Sequence, residues 1–157
     1  PGDGAVVMDI DTARIGTVIC YEVIFPELVR RFVQNGANVM VTLTNDAWFG
    51  RSAAPYQHFS MVVFRAIENR VPFARAANTG ISGFIDAHGV VLQQTDIFVE
   101  DARFEELIPG ARKTFYTKYG DLFAIGCLLI WIYWVVSSYR NPKGLDLWQS
   151  EDMGSGL

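Results

Sequence analysis

Apolar and polar positions follow an ordered pattern over residues 5–94. Ala5-Val6-Val7-Met8-Asp9-Ile10 and Ile15-Gly16-Thr17-Val18-Ile19-Cys20 are rich in β-branched residues and flank a turn near Asp11-Thr12. They predict two strands, at about 5–10 and 14–20. Pro26 then opens a helix, a position where proline is favoured. Leu28, Val29, Phe32 and Val33 give that helix an apolar stripe, and Gly36 ends it. Val39-Met40-Val41-Thr42-Leu43 is apolar almost throughout, the mark of a strand buried on both faces. Strand, helix, strand in that order calls for a right-handed crossover within one sheet. A second helix is expected over about 55–70, with Phe59, Val62, Val63, Ala66 and Ile67 inward and Pro72 marking its end. A strand over Phe73–Ala77 leads to Asn78-Thr79-Gly80. Two more strands, about 82–86 and 90–94, flank Ala87-His88-Gly89, a hairpin-turn signal. That makes His88 a turn residue rather than a catalytic base. His58, beside Gln57 near a helix start, reads as polar surface or rim.

The pattern changes in the last third. Leu122 to Ser138 carries no charged residue and is apolar all round, without an amphipathic face. As a helix it would span about 26 Å, near the lower limit for crossing a bilayer. Tyr119, Tyr133, Trp134 and Tyr139 resemble interfacial anchors. The reading preferred here is a transmembrane helix over a buried core helix, with Cys127 inside it as a small apolar residue. Arg112, Lys113 and Lys118 before the span, against Arg140 and Lys143 after it, weakly favour a cytoplasmic globular part. Residues 140–157 form a polar tail expected to be disordered.

Composition narrows the classes. A chain of 157 residues is one domain's worth, with 50% apolar content and a formal net charge of −4. It has no basic footprint for nucleic acid. The two cysteines lack a metal-ligand spacing and make no disulfide framework. No cluster suggests zinc or calcium, and no cofactor is expected. The opening Pro1-Gly2-Asp3-Gly4 has neither Met nor signal peptide and runs at once into a strand. It reads as the middle of a domain whose N-terminal part is missing.

The candidate chemistry centres on Cys20. A β-branched run delivers a thiol to a strand end, where a fold would present a nucleophile. A thiol attacks as thiolate and needs a base or cation beside it. Glu22 lies two residues on, and shares a face with Cys20 only if the chain stays extended. The competing reading is a buried, inert cysteine. Asn45-Asp46-Ala47-Trp48-Phe49-Gly50 follows the next strand. Strand carboxyl ends line the ligand crevice of open α/β sheets, so this loop and Cys20 could face one pocket. For Trp48 and Phe49, core packing is the equal alternative.

Four segments together resemble the nitrilase, or carbon–nitrogen hydrolase, superfamily: Gly16-Thr17-Val18-Ile19-Cys20-Tyr21-Glu22, Leu43-Thr44-Asn45-Asp46-Ala47-Trp48-Phe49-Gly50, Arg65-Ala66-Ile67-Glu68-Asn69, and Arg75-Ala76-Ala77-Asn78-Thr79-Gly80-Ile81-Ser82. Within it the chain looks like the C-terminal part of the bacterial lipoprotein-acylating branch. Cys20-Tyr21-Glu22, Asn45-Asp46-Ala47-Trp48-Phe49-Gly50, Pro55-Tyr56-Gln57-His58, Ala77-Asn78-Thr79-Gly80-Ile81-Ser82 and a terminal membrane helix after Tyr116-x-x-Tyr119-Gly120-Asp121 carry that finer likeness. The resemblance covers about residues 1–138.

It implies an α+β fold, part of a four-layer α-β-β-α sandwich followed by one C-terminal transmembrane helix. Residues 1–116 would belong to the catalytic domain and 117–139 to the membrane helix. Half a sandwich would leave one sheet face exposed. The implied reaction moves a fatty acyl group from a phospholipid donor to the N-terminal amine of a diacylglyceryl-cysteine lipoprotein, through a cysteine thioester. Cys20 matches the nucleophile, and the Tyr21 backbone N–H the oxyanion donor. Glu22 matches an acidic residue needed near the cysteine, and Glu68 a supporting carboxylate. Asn45, Trp48 and Phe49 are candidate substrate contacts.

The family triad also needs a glutamate and a lysine ahead of the cysteine. Residues 1–19 contain neither, and the lysines are Lys113, Lys118 and Lys143. This stretch by itself is therefore expected to be inactive. The resemblance places the catalytic part on the outer side of the bacterial inner membrane, against the weak charge signal. A membrane-anchored nitrilase-type amidase and a non-catalytic remnant are the rival readings. Nothing in the residues bears on oligomeric state.

Overall fold

The computed structural model describes residues 4–140. They divide into two units, one ending at Gly120 and the other beginning at Asp121. The expected polar tail, apart from Arg140, lies outside the described residues.

The first unit is built on one six-stranded sheet. Its strands are β1 (Val7–Ile10), β2 (Ala13–Ile19), β3 (Val39–Asn45), β4 (Phe73–Asn78), β5 (Gly83–Ile85) and β6 (Val91–Gln94), ordered in space as in the chain. β2, β3 and β4 are parallel; the remaining neighbours are antiparallel. Parallel neighbours need crossover connections. Helix α1 (Pro26–Gln34) joins β2 to β3, and α2 (Ala54–Asn69) joins β3 to β4. Antiparallel neighbours need only short turns. In the β5–β6 turn, Asp86 Oδ1 accepts the His88 and Val90 N–H groups at 2.8 Å each. His88 is therefore a turn residue, as its sequence setting predicts.

One core joins the sheet to both helices. Val18, Met40, Phe73 and Ile85 from the strands meet Val29, Phe32 and Val33 of α1 and Phe59, Val62 and Ala66 of α2. The opposite face has no such cover. Ile19 is 63% exposed and Leu43 47%, while Thr17, Val41 and Ala74 on that face are half-buried. Side chains of a strand alternate between faces, so each parallel strand contributes to both environments.

The buried stripe of α2 differs from the expected one. Pro55, His58, Phe59, Val62, Arg65, Ala66 and Asn69 are buried, whereas Ile67 is exposed and Val63 half-buried. Counting apolar residues rotates the stripe, because three of its true members are polar and find partners inside. Asn69 meets Thr117 of the short helix α3 (Phe115–Tyr119), with the Thr117 hydroxyl donating to Asn69 Oδ1 at 2.9 Å. Arg30 and Gln34 of α1 both donate to the Thr117 carbonyl. This knot ties the end of the first unit to both helices.

In the second unit, helix α4 covers Leu122–Arg140, and none of its residues is buried. It is long and apolar enough to cross a membrane. Cys127 lies on it, exposed.

Candidate active site

β2 ends at Ile19, and the chain turns at once into a 3₁₀ turn over Cys20–Ile24. Cys20 has φ +52°. A non-glycine residue in the left-handed region is strained, by about 1–3 kcal/mol, and such residues concentrate at functional sites. The thiol is half-buried, so it is not the sealed, inert cysteine of the competing reading.

The sharp turn decides the role of Glu22. It does not share a strand face with Cys20. Its Oε2 reaches back to accept the Ile19 N–H at 2.7 Å. Glu22 thus braces the turn from outside, as the N3 residue of a capping box does.

β2, β3 and β4 are parallel neighbours, so their carboxyl ends lie together. Ile19 pairs with Leu43, and Asn45 with Asn78. This brings Cys20, the Asn45–Gly50 loop and Asn78-Thr79-Gly80 to one edge of the sheet. Asn45 Oδ1 accepts from the Ala47 N–H at 3.1 Å and from Asn78 Nδ2 at 3.3 Å, joining two strand ends. Trp48 is 89% exposed, so core packing is not its role. Phe49 is half-buried and sets its ring edge against His58, centroids 5.8 Å apart.

Beneath the turn lies a buried polar cluster that hydrophobic periodicity does not reveal. Asp46, first residue after β3, turns its carboxylate inward. Arg75 Nη2 donates to Asp46 Oδ2 at 2.7 Å, and the Thr44 hydroxyl to Oδ1 at 2.9 Å. Both side chains of the Arg75–Asp46 pair are fully buried. His58, expected at the rim, is 4% exposed. Its Nδ1 lies 3.1 Å from both Asp46 Oδ1 and Arg75 Nη2, and its Nε2 lies 3.3 Å from the Cys20 carbonyl oxygen. Arg75 also donates through Nε to the Ile81 carbonyl.

Burial pushes the Arg75 guanidinium below its ordinary value, and the Asp46 carboxylate opposes that, as does charge on Cys20. Gly80 is required for this packing, since a Cβ there would overlap the Asp46 carboxylate. The signal for the cluster was present in the sequence. Arg75 interrupts an apolar central strand, and a buried arginine needs a counter-ion.

Glu68 lies on α2 and accepts from Arg65 Nη2 at 2.9 Å. Arg65, itself buried, points Nη1 toward the Ile24 carbonyl at the end of the Cys20 turn, at a long 3.5 Å. The structure therefore connects Glu68 to that turn through Arg65. Among the described residues, no group of three or more His, Cys, Asp or Glu side chains could hold a metal ion.

Comparison with known proteins matches residues 1–107 to the carbon–nitrogen hydrolase family model. An apolipoprotein N-acyltransferase of Geobacter metallireducens is 51% identical over 128 residues, 82% of this chain and 25% of the relative. Its counterpart in Haemophilus influenzae is 41% identical over 129 residues, 81% of this chain and 25% of the relative. The chain thus spans about a quarter of the length of these relatives. Among solved structures, Saccharomyces cerevisiae Nit3, a member of the nitrilase superfamily, aligns with TM-score 0.55 and 22% identity over 62% of this chain and 38% of its own. An amidase from Nesterenkonia sp. aligns with TM-score 0.52 and 22% identity over 62% of this chain and 39% of its own. These structural likenesses establish the fold.

Proposed function

The chain belongs to the carbon–nitrogen hydrolase family, and from that premise we propose that it carries the nucleophile of a membrane acyltransferase, with Cys20 in that role. The observation that carries the reading is the half-buried Cys20 thiol at φ +52°, at the end of a central parallel strand. Similarity to the apolipoprotein N-acyltransferases supports the substrate class. The donor is a phospholipid, and the acceptor is the N-terminal amine of a diacylglyceryl-cysteine lipoprotein.

The Cys20 thiolate adds to the ester carbonyl carbon of the phospholipid. The Tyr21 N–H donates to the oxyanion that forms. The ester C–O bond then breaks, the lysophospholipid leaves as an alcohol after gaining a proton, and the acyl group stays on sulfur. The lipoprotein amine attacks this thioester and gives up a proton, the C–S bond breaks, and an amide and the free thiolate result. Glu22 braces the turn, and Glu68 supports it through Arg65. Asn45, Trp48 and Phe49 border the acyl path, the exposed Trp48 offering apolar surface to a lipid chain. Helix α4 crosses the bacterial inner membrane and keeps the thiol at its outer surface, where both substrates reside.

A glutamate and a lysine that take and return protons do not occur ahead of Cys20 in these residues, so the reading applies to a full-length protein that supplies them. A membrane-anchored amidase shares the Cys20 chemistry but resolves the acyl-enzyme with water. The test incubates the full-length protein with phosphatidylethanolamine and a diacylated lipopeptide. Acyl transfer to the lipopeptide amine is expected; ammonia release from small amides without such transfer would favour the amidase.

A further inference from the structure

The contact between His58 and the Cys20 carbonyl falls on the peptide that the reaction uses. That peptide is trans, so its carbonyl and the Tyr21 N–H point in opposite directions across one plane. The carbonyl points toward the buried ring of His58, with Nε2 3.3 Å from the oxygen. The Tyr21 N–H therefore points away from the core. A carbonyl oxygen only accepts hydrogen bonds, so Nε2 carries the proton of this contact. The other ring nitrogen then has a matching partner in either state. Unprotonated, Nδ1 accepts from Arg75 Nη2; protonated, it donates to Asp46 Oδ1. Arg75 and Asp46 are themselves locked, fully buried, by each other and by Thr44. Phe49 and Tyr21 flank the ring, with centroids 5.8 and 6.0 Å away, and leave it little room to rotate.

We infer that His58, held by Arg75 and Asp46, is a positioning residue that fixes the Cys20–Tyr21 peptide plane and so aims and polarises the Tyr21 N–H toward the developing oxyanion. Rotating the carbonyl away from His58 would swing the N–H by the same angle. A hydrogen bond to the carbonyl also polarises the peptide and strengthens its N–H as a donor. The need is acute here, because φ +52° at Cys20 places that plane where the backbone alone would not hold it. The inference rests on the assignment of Cys20 as nucleophile and the Tyr21 N–H as oxyanion donor.

The test compares His58→Phe, His58→Gln and His58→Asn in the full-length protein. It measures single-turnover thioester formation from phosphatidylethanolamine, the KM for that lipid, and alkylation of Cys20 by iodoacetamide. Alkylation is a displacement at an sp³ carbon and forms no oxyanion, so it reports thiol reactivity alone. His58→Phe keeps the ring packing and loses the donor. Its acylation rate should fall about 100-fold, with KM and alkylation unchanged. His58→Gln reaches the position of Nε2 with an amide N–H and should recover at least about tenfold of that loss, whereas His58→Asn reaches only to Nδ1 and should not. If His58→Phe does not fold, the Gln-to-Asn contrast decides. Equal rates for Gln and Asn, or a parallel fall in acylation and alkylation, would overturn the inference. The two assignments fail differently. Thioester formation by Cys20→Ala would remove the nucleophile and this inference with it. A silent Cys20→Ala beside a fully active His58→Phe would leave the nucleophile standing and remove His58 alone.

Discussion

On the helix-covered face of the sheet, Val18, Thr42 and Arg75 stand in one register row, all buried. One residue further along β2 and β3, on the opposite face, Ile19 and Leu43 pair with each other and are 63% and 47% exposed. The same three parallel strands thus carry a sealed face that contains an ion pair and an open face that is largely apolar. Hydrophobicity alone would not place Thr42 and Arg75 inside while leaving Ile19 and Leu43 outside. Charge is kept inside where it has a fixed partner, and it sits directly beneath the turn that bears Cys20. The polar members of the helix face contact the backbone of that turn, with His58 Nε2 3.3 Å from the Cys20 carbonyl oxygen.

The largest expected effect is on that sealed face. Arg75→Met removes the cation and leaves the Asp46 carboxylate buried without it, which should cost about 3–5 kcal/mol in chemical denaturation. A loss below about 1 kcal/mol would show that the pair behaves as an exposed one. Next is Gly80→Ala, whose added methyl would overlap the Asp46 carboxylate. Overpacking of this kind should cost about 1–3 kcal/mol, and acylation should drop along with stability, since the displaced carboxylate holds Arg75. Leu43→Ala on the open face is expected to change stability by about 0.5 kcal/mol or less. A cost near that of a core leucine, about 2–5 kcal/mol, would show that this face is covered in the protein measured.

The smallest effect concerns the β5–β6 turn, away from both faces. The Asp86 carboxyl is held below its ordinary pKa: burial raises it, but the Val90 and His88 N–H groups and the His88 imidazole together outweigh burial. A carboxyl group whose folded pKa lies below its unfolded value stabilises the fold above the unfolded pKa, about 3.9, and loses that contribution as pH falls through the folded value. Asp86→Asn should flatten this acid limb of the stability–pH curve and leave the alkaline side unchanged. An unchanged acid limb would remove Asp86 from the account.

Much of this arrangement was legible in the residues, and the failures share one cause. Alternating and continuous apolar runs predicted all six strands and both crossover helices, because those elements bury apolar side chains at their regular periods. Cys20 stood out because a β-branched run ends on it. Periodicity passes over buried polar residues, whose environment is set by partners far along the chain. His58 sits in the right helical phase for the core, although its polarity beside Gln57 suggests the rim. Its partners come from two strands far along the chain, Asp46 just past the end of β3 and Arg75 from within β4. Ile67 looks inward for the converse reason, being apolar in a helix whose buried stripe includes His58, Arg65 and Asn69. Two residues from the thiol, Glu22 looks like its neighbour, but the turn at Cys20 aims it at the Ile19 N–H. No local pattern announces a positive φ at a cysteine.

The most direct test of the central claim is the site of acylation. Full-length protein would be incubated with phosphatidylethanolamine in the absence of acceptor, digested, and its peptides read by mass spectrometry. An acyl thioester is expected on Cys20, absent in Cys20→Ala and undiminished in Cys127→Ala. An acyl group on Cys127, or equal loss from the two substitutions, would contradict it.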